Sequence, residues 1–147
     1  MGTIKDIILQ ILHTIWTLPQ TLVGLVMLPF LGKKKFIRKH SCAYIYECEN
    51  MSGAISIGTF IFLSTSCAKK EAIIQHEIGH YYQSLYLSWL YLFIIGIPSL
   101  MWACFCNDKC YYSFYTERWS NNIMGLKVKH NQYNCYLYIP ADKEKYY

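Results

Sequence analysis

The chain has 147 residues, 54% of them hydrophobic and 17% aromatic against 16% charged. That length suits one domain, and so apolar a composition excludes a disordered tail, a collagen-like repeat or an acidic solvating segment. Lys33, Lys34, Lys35, Arg38 and Lys39 account for the whole net charge of +5, and such a lone basic knot beside an apolar run fits a membrane-surface anchor or topology signal. A nucleic-acid groove, by contrast, needs basic residues recurring along the fold.

From Ile7 to Gly32 the chain runs 26 residues without a charge, enough at about 1.5 Å per helical residue to cross a bilayer. Gln10, His13, Pro19 and Gln20 interrupt the run, and Pro19 is expected to end or kink the first helix near Leu18. Two readings stand side by side. One is a kinked membrane-embedded helix pair with the basic 33–39 segment on the cytoplasmic side; the other is a buried core helix of a small enzyme. In either, His13 reads as a hydrogen-bonded core histidine. The N-terminal Met-Gly does not match a myristoylation signal, because Asp6 stands where Ser or Thr is wanted, and no cleavable signal-peptide pattern surrounds the first apolar run.

After the knot, residues 42–49 and 54–64 are β-branched and aromatic runs separated by the turn formers Asn50, Ser52 and Gly53, and the pair reads as a β-hairpin. Ser64, Thr65 and Ser66 offer N-caps for a helix beginning near Ala68 and continuing to Leu87, with Glu71 where the helix dipole favours an acid. Leu85 to Cys106 is a second uncharged stretch, of 22 residues, broken at Gly96-Ile97-Pro98. The segment 110–125 reads as helical with Gly125 as its C′ residue, and the alternation around Tyr133, Cys135, Leu137 and Ile139 reads as a short strand. Seven cysteines is an odd number and argues against a disulfide scaffold. Among them, only Cys104, Cys106 and Cys110 are close enough to suit a metal, at a spacing that is not a zinc-knuckle pair.

His76-Glu77-Ile78-Gly79-His80 is H-E-x-x-H inside the predicted helix. Residues four apart share a helical face, so both imidazoles can reach one Zn²⁺, while the Glu between them is offset beside the open coordination position, placed to act as general base. Two His and a Glu on an apolar helix would be costly to bury unpaired, and a metal accounts for all three. Gly79 costs the helix about 1 kcal/mol relative to Ala, and leaves bare surface where another backbone can approach. Gln83, seven after His76, faces the same side and can orient a ligand or substrate.

A catalytic zinc wants a third protein ligand. If two antiparallel helices turn at about Ile97, the chain climbs 17 residues from His80 and descends 20 to Glu117, returning that carboxylate to the level of the motif. Glu117 is therefore the expected third ligand. His130, the rival, sits between Lys129 and Asn131 in a polar stretch and reads as exposed. The strand 54–62 is expected to border the cleft, where an extended peptide can add as an antiparallel strand. A straight span over 85–106 would put the motif and Glu117 on opposite sides of a bilayer, so this stretch is expected to fold back as a helical hairpin.

HEIGH followed by a helical Glu resembles the zincin metallopeptidases of the Glu-ligand group. The resemblance implies His76, His80 and Glu117 as zinc ligands and Glu77 as base. Where such families often carry an acid four after the ligand Glu, this chain has Asn121, which can hydrogen-bond a ligand His without supplying negative charge. The wider string, with PQTLVG, SIGTFIF, HEIGHYYQS, LYLFIIGIPSL and YTERWSNNIMG, is similar to small uncharacterised bacterial membrane proteins or metallopeptidases over most of residues 15–125. The expectation is a single α+β domain over 1–147, mostly helical with a small sheet, with a zincin-like core over 40–125 and an apolar segment 7–32 as candidate membrane anchor. Its expected activity is zinc-dependent hydrolysis of a peptide or protein at a bacterial inner membrane, with no nucleic-acid partner. The alternative is a small integral membrane protein with a structural zinc or none, acting by interaction with a partner protein.

Overall fold

The uncharged N-terminal run folds as two helices. In the computed structural model, which describes residues 3–105, 111–130 and 135–143, Thr3 and Asp6 form a capping box at the start of helix α1 (Ile4–Trp16). Thr17 breaks the helix, and α2 (Leu18–Met27) carries Pro19 in its first turn, where no intrahelical N–H is needed. The helical pair departs from straight by 92°. No single helix among the described residues is long and apolar enough to cross a membrane.

These two helices present an inverted pattern. Thr17, Gln20 and Thr21 are buried, while Ile4, Ile7, Ile8, Ile11, Leu12, Ile15, Leu22 and Val26 are exposed. The polar side chains hold the pair to the body: Gln10 Nε2 donates to Cys42 O, Gln20 Nε2 to Ser84 Oγ and Ser88 O, and the Trp16 indole to Leu85 O. A core helix would turn its apolar face inward, so the 7–32 segment is not one. His13 is buried against the Tyr81 ring, but neither of its ring nitrogens has a hydrogen-bond partner, contrary to the expected satisfied histidine.

Four strands follow: β1 (Lys34–His40), β2 (Ala43–Cys48), β3 (Ala54–Ile57) and β4 (Phe60–Ser64). Their order is β1-β2-β4-β3, with β2 and β4 parallel and the two outer pairs antiparallel. The expected hairpin between 42–49 and 54–64 is thus replaced by two hairpins laid side by side. The basic knot is itself a strand, closed onto β2 by a turn at Ser41-Cys42. The run 54–64 folds on itself at Gly58, whose φ of 60° suits a two-residue hairpin turn. Central strand β4 buries Ile61, Phe62 and Leu63 completely, as a strand covered on both faces should.

Ser64 caps a short helix, α3 (Thr65–Ala68), before the long α4 (Glu71–Leu87). The core forms where α4 meets the sheet, from Ala43, Ile45, Ile61, Leu63, Ile74, Ile78 and Tyr81. Glu71 in the first turn of α4 pairs with Arg38 of β1 at 2.5 Å. The chain turns at Ser88, not at Ile97: Ser88 adopts φ 50° and is held there by its hydroxyl on Trp16 O and by the Gln20 amide on its carbonyl. A π-helical turn (Leu92–Gly96) leads into α5 (Ile97–Phe105), and the helical segments 71–90 and 92–105, on either side of Tyr91, are bent by 119°. Pro98 lies in the first turn of α5 and starts that helix instead of ending one.

Helix α6 (Tyr115–Met124) ends at Gly125 in the left-handed conformation, as expected. Strands β5 (Lys127–His130) and β6 (Cys135–Tyr138) pair antiparallel beyond it. The chain is an α+β fold, with six α-helices and two sheets among the described residues. Cys104 is exposed, whereas Cys106, Cys110 and Tyr133 fall outside those residues.

Candidate metal centre

Helix α6 lies against α4 with His76 facing Asn121, Gly79 facing Ser120 and Gln83 facing Thr116, so the two run antiparallel. The approach is close at Gly79. A Cβ there would stand 2.6 Å from Ser120 O, and Ser120 Oγ donates across the same gap to His76 O at 2.5 Å. Glycine at this point of the motif is what lets α6 come near enough to deliver Glu117.

His76, His80 and Glu117 meet in the contact. His76 Nε2 lies 2.9 Å and His80 Nε2 3.3 Å from Glu117 Oε2, and the two Nε2 atoms are 3.2 Å apart. Four ligands at about 2.0–2.1 Å from a zinc ion define a tetrahedron with edges of about 3.3–3.4 Å, so these separations are close to those of three corners. All three residues are buried, Glu117 completely. They are the one group of three potential ligands among the described residues; His130 is exposed on β5 and is not a member of it.

The far side of each ligand is tied. His80 Nδ1 donates to Gln83 Oε1 at 2.7 Å, and Gln83 Nε2 donates to Thr116 O at 2.9 Å, which fixes the amide with its oxygen toward the imidazole. His76 Nδ1 donates to Asn121 Oδ1 at 2.7 Å. With Nδ1 protonated in both rings, a neutral imidazole offers only a lone pair at Nε2. Two such lone pairs then converge on a carboxylate oxygen in a buried space, an arrangement that requires a shared cation, whether proton or metal. The donor set of two imidazoles and one carboxylate fits a borderline-soft divalent ion.

Glu117 divides its work between its oxygens. Oε2 faces the histidines, while Oε1 accepts from Thr116 Oγ1 at 2.9 Å and from the Ser99 hydroxyl on α5. Burial pushes the Glu117 pKa up, but the hydrogen bonds and charges of His76 and His80 outweigh it, so the carboxyl stays ionised well below the usual range. Burial likewise opposes charge on His80, yet the Glu117 hydrogen bond and the charges of Glu117 and Glu77 more than offset it and raise that pKa. Glu77 is buried and not part of the triad. Burial is the chief influence on it and raises its pKa, against the opposing pull of His80 and His76.

Glu77 and His80 stand at the wall of an open cavity of about 490 Å³, which α2, β3, the π-helical turn and α5 complete. The expectation that strand 54–62 borders the cleft concerns this wall, where Ala54, Ile55, Ser56 and Ile57 appear. Residues not singled out from the sequence are Ser99 and Thr116, which bond the second Glu117 oxygen, Ser120, and Tyr112, whose ring packs edge-on against His76 with centroids 5.4 Å apart. A lone hydroxyl in the apolar run around Ser99, and a Thr directly before Glu117, were the available signals.

No protein-family model, curated protein or solved structure matches this chain. The likeness to zincins therefore stands on the five-residue motif, Glu117 and the geometry around them, and what these residues form is a group that could hold a metal ion.

Proposed function

We propose that the protein is a small zinc-dependent peptidase working at a membrane surface. The observation that carries this reading is the placing of three ligand atoms at tetrahedral spacing beside Glu77 on the wall of an open cavity. Structural zinc sites are closed by four protein ligands, whereas catalytic ones use three and keep a position for water or substrate. His76, His80 and Glu117 would hold the ion, and zinc so bound supplies Lewis acidity, acidifying water and polarising a carbonyl. Glu77, its pKa raised by burial, would take a proton from the attacking water and return it to the leaving amine. Gln83 and Asn121 keep each imidazole in the tautomer that presents Nε2. An extended substrate would lie along β3, an edge strand of the sheet.

The membrane part of the reading is supported by the outward apolar faces of α1, α2 and α5. Soluble monomers rarely leave so much contiguous apolar surface in water. Lys34 Nζ donates to Leu28 O and Gly32 O just beyond α2, which sets a cation at the end of the apolar pair, and Lys33, Lys35 and Lys39 are exposed nearby in sequence. Such lysines suit anionic headgroups on a cytoplasmic leaflet, with the bent helices immersed in the interface and not crossing it.

Metal analysis of the purified protein tests the centre. About one zinc per chain is expected, lost in Glu117→Ala and kept in Glu77→Gln, which should lose hydrolysis of a peptide library. Zinc kept at full occupancy in Glu117→Ala would remove the third ligand; cleavage persisting in Glu77→Gln would remove the base.

A further inference from the structure

We infer that the cavity beside Glu77 is a binding site for an apolar, extended segment of a membrane-embedded protein, admitted from the bilayer past α2 and α5. This rests on the peptidase reading and names its substrate class. The first observation is the wall itself. Apart from Glu77 and His80, no charged side chain among the described residues lines the cavity; α2 contributes Val23 and Met27, β3 contributes Ile55 and Ile57, and the segment beyond the Ser88 bend contributes Leu92 and Leu100. A charged substrate residue would find no counter-charge there except the site's own groups, and burying it unpaired is costly. A volume of about 490 Å³ lies within the range of ligand pockets and accommodates several side chains.

The second observation is where the cavity opens. Val23 is 41% exposed and Leu100 60% exposed although both line it, so they form its rim. Val26, three residues after Val23 on α2, and Phe93 and Met101, next in sequence to the lining residues Leu92 and Leu100, are exposed as well. A segment moving along this face would meet apolar surface from the bilayer to the metal ligands. The third observation is the bottom of the route. Ser56, on edge strand β3, has a buried hydroxyl without a partner, leaving a hydrogen-bonding group for a peptide backbone that has shed its water.

The Glu77→Gln variant, chosen to prevent turnover and loaded with zinc, is reconstituted in phosphatidylcholine–phosphatidylglycerol nanodiscs with one of two probes. One probe is a 20-residue Leu/Ala peptide bearing a central benzophenone; the other is the same peptide with two Asp residues flanking the photophore. Cross-links from the apolar probe are expected at Ile57 and Leu92, at least fivefold above those from the acidic probe, and reduced by a similar factor in Leu100→Arg and in Val23→Arg. Both substituted positions are already exposed, and zinc content with circular dichroism reports whether each variant is folded. Cross-links confined to the outer face of α1, equal labelling by the two probes, or labelling unchanged in both Arg variants would overturn the inference. Cavity labelling together with zinc retained in Glu117→Ala would instead uphold the binding site and remove the metal reading.

Discussion

Gly79 of α4 and Ser120 of α6 face each other with no room for a methyl group: a Cβ on Gly79 would lie 2.6 Å from the Ser120 carbonyl oxygen and closer still to its hydroxyl. The hydroxyl can rotate but the carbonyl is part of a helix, so Gly79→Ala must push α6 away. Alanine gains about 1 kcal/mol of helix propensity, while overpacking costs about 1–3 kcal/mol. Because Glu117 rides on α6, the larger effect should fall on the metal. We predict a modest loss of thermal stability in the metal-free protein and a drop in zinc affinity of at least tenfold, read by competition with a chromophoric chelator. Unchanged affinity would mean that this contact does not set the position of Glu117.

Gln83 joins His80 Nδ1 to Thr116 O. Gln83→Leu leaves the buried His80 Nδ1–H unpaired, takes one of two donors from the Thr116 carbonyl, which lies within α6, and frees the imidazole to rotate, so zinc affinity should fall by about 10–100-fold. Gln83→Glu restores the acceptor for His80 and should recover part of that loss. If Leu and Glu bind zinc alike, the amide plays no part in orienting the ligand.

Asn121 offers the opposite experiment. It accepts from His76 Nδ1 through Oδ1, while its Nδ2 is buried without a partner. Asn121→Asp replaces the idle N–H₂ with a second carboxylate oxygen and adds charge behind the ligand, which raises the basicity of His76. The variant should bind zinc more tightly, by several-fold, and Asn121→Ala more weakly. An Asp variant that binds no better than Ala would show that His76 gains nothing from this partner.

The parts of this arrangement readable from sequence were those governed by local period. Spacing of four put His76 and His80 on one face, and spacing of seven from His76 added Gln83; both follow from helix geometry alone. Glu117 was reachable because it is the sole acid in an aromatic helix, even though the expected turn at Ile97 occurs at Ser88. That turn was hidden because its cause is tertiary: Ser88 is held by Trp16 and Gln20, some 70 residues earlier in the chain. The parallel pairing of β2 with β4 was hidden for a like reason, since strand order is decided by a shared core and not by the turn residues at 50–53. The basic knot concealed a strand, because its charge masked Phe36 and Ile37.

Ser99 ties α5 to Glu117 of the candidate metal centre, through a hydroxyl that donates to Glu117 Oε1. Thr116 Oγ1 bonds the same oxygen and the Tyr111 side chain also hydrogen-bonds the Glu117 carboxylate, so Ser99→Ala removes one donor of several and should weaken zinc binding only several-fold. Removing both, in Ser99→Ala with Thr116→Val, leaves that oxygen with neither hydroxyl and should cost more than the product of the single effects. Additive losses would show that the two hydroxyls act independently.

A metal ion held by His76, His80 and Glu117 would compete with a proton for the same space. In the metal-free protein the His80 pKa stands above its ordinary 6.5 because Glu117 and Glu77 outweigh burial. A raised folded-state value means that His80 contributes stability in full below the unfolded pKa, and that this contribution disappears as pH climbs through the folded one. Glu117, held well below the usual carboxylate range, stays ionised through that window. Metal binding requires His80 to give up its proton, so zinc affinity should rise with pH over the window in which metal-free stability falls. Calorimetric titration with zinc near neutral pH, repeated in buffers of different ionisation enthalpy, should show net release of protons, diminishing at higher pH. Thermal unfolding should show the metal-free protein losing stability from neutral to alkaline pH while the zinc-loaded protein does not. Heats independent of the buffer would mean that His80 is already neutral before the metal arrives, and the buried triad would then have to be held together by a proton on another of its members.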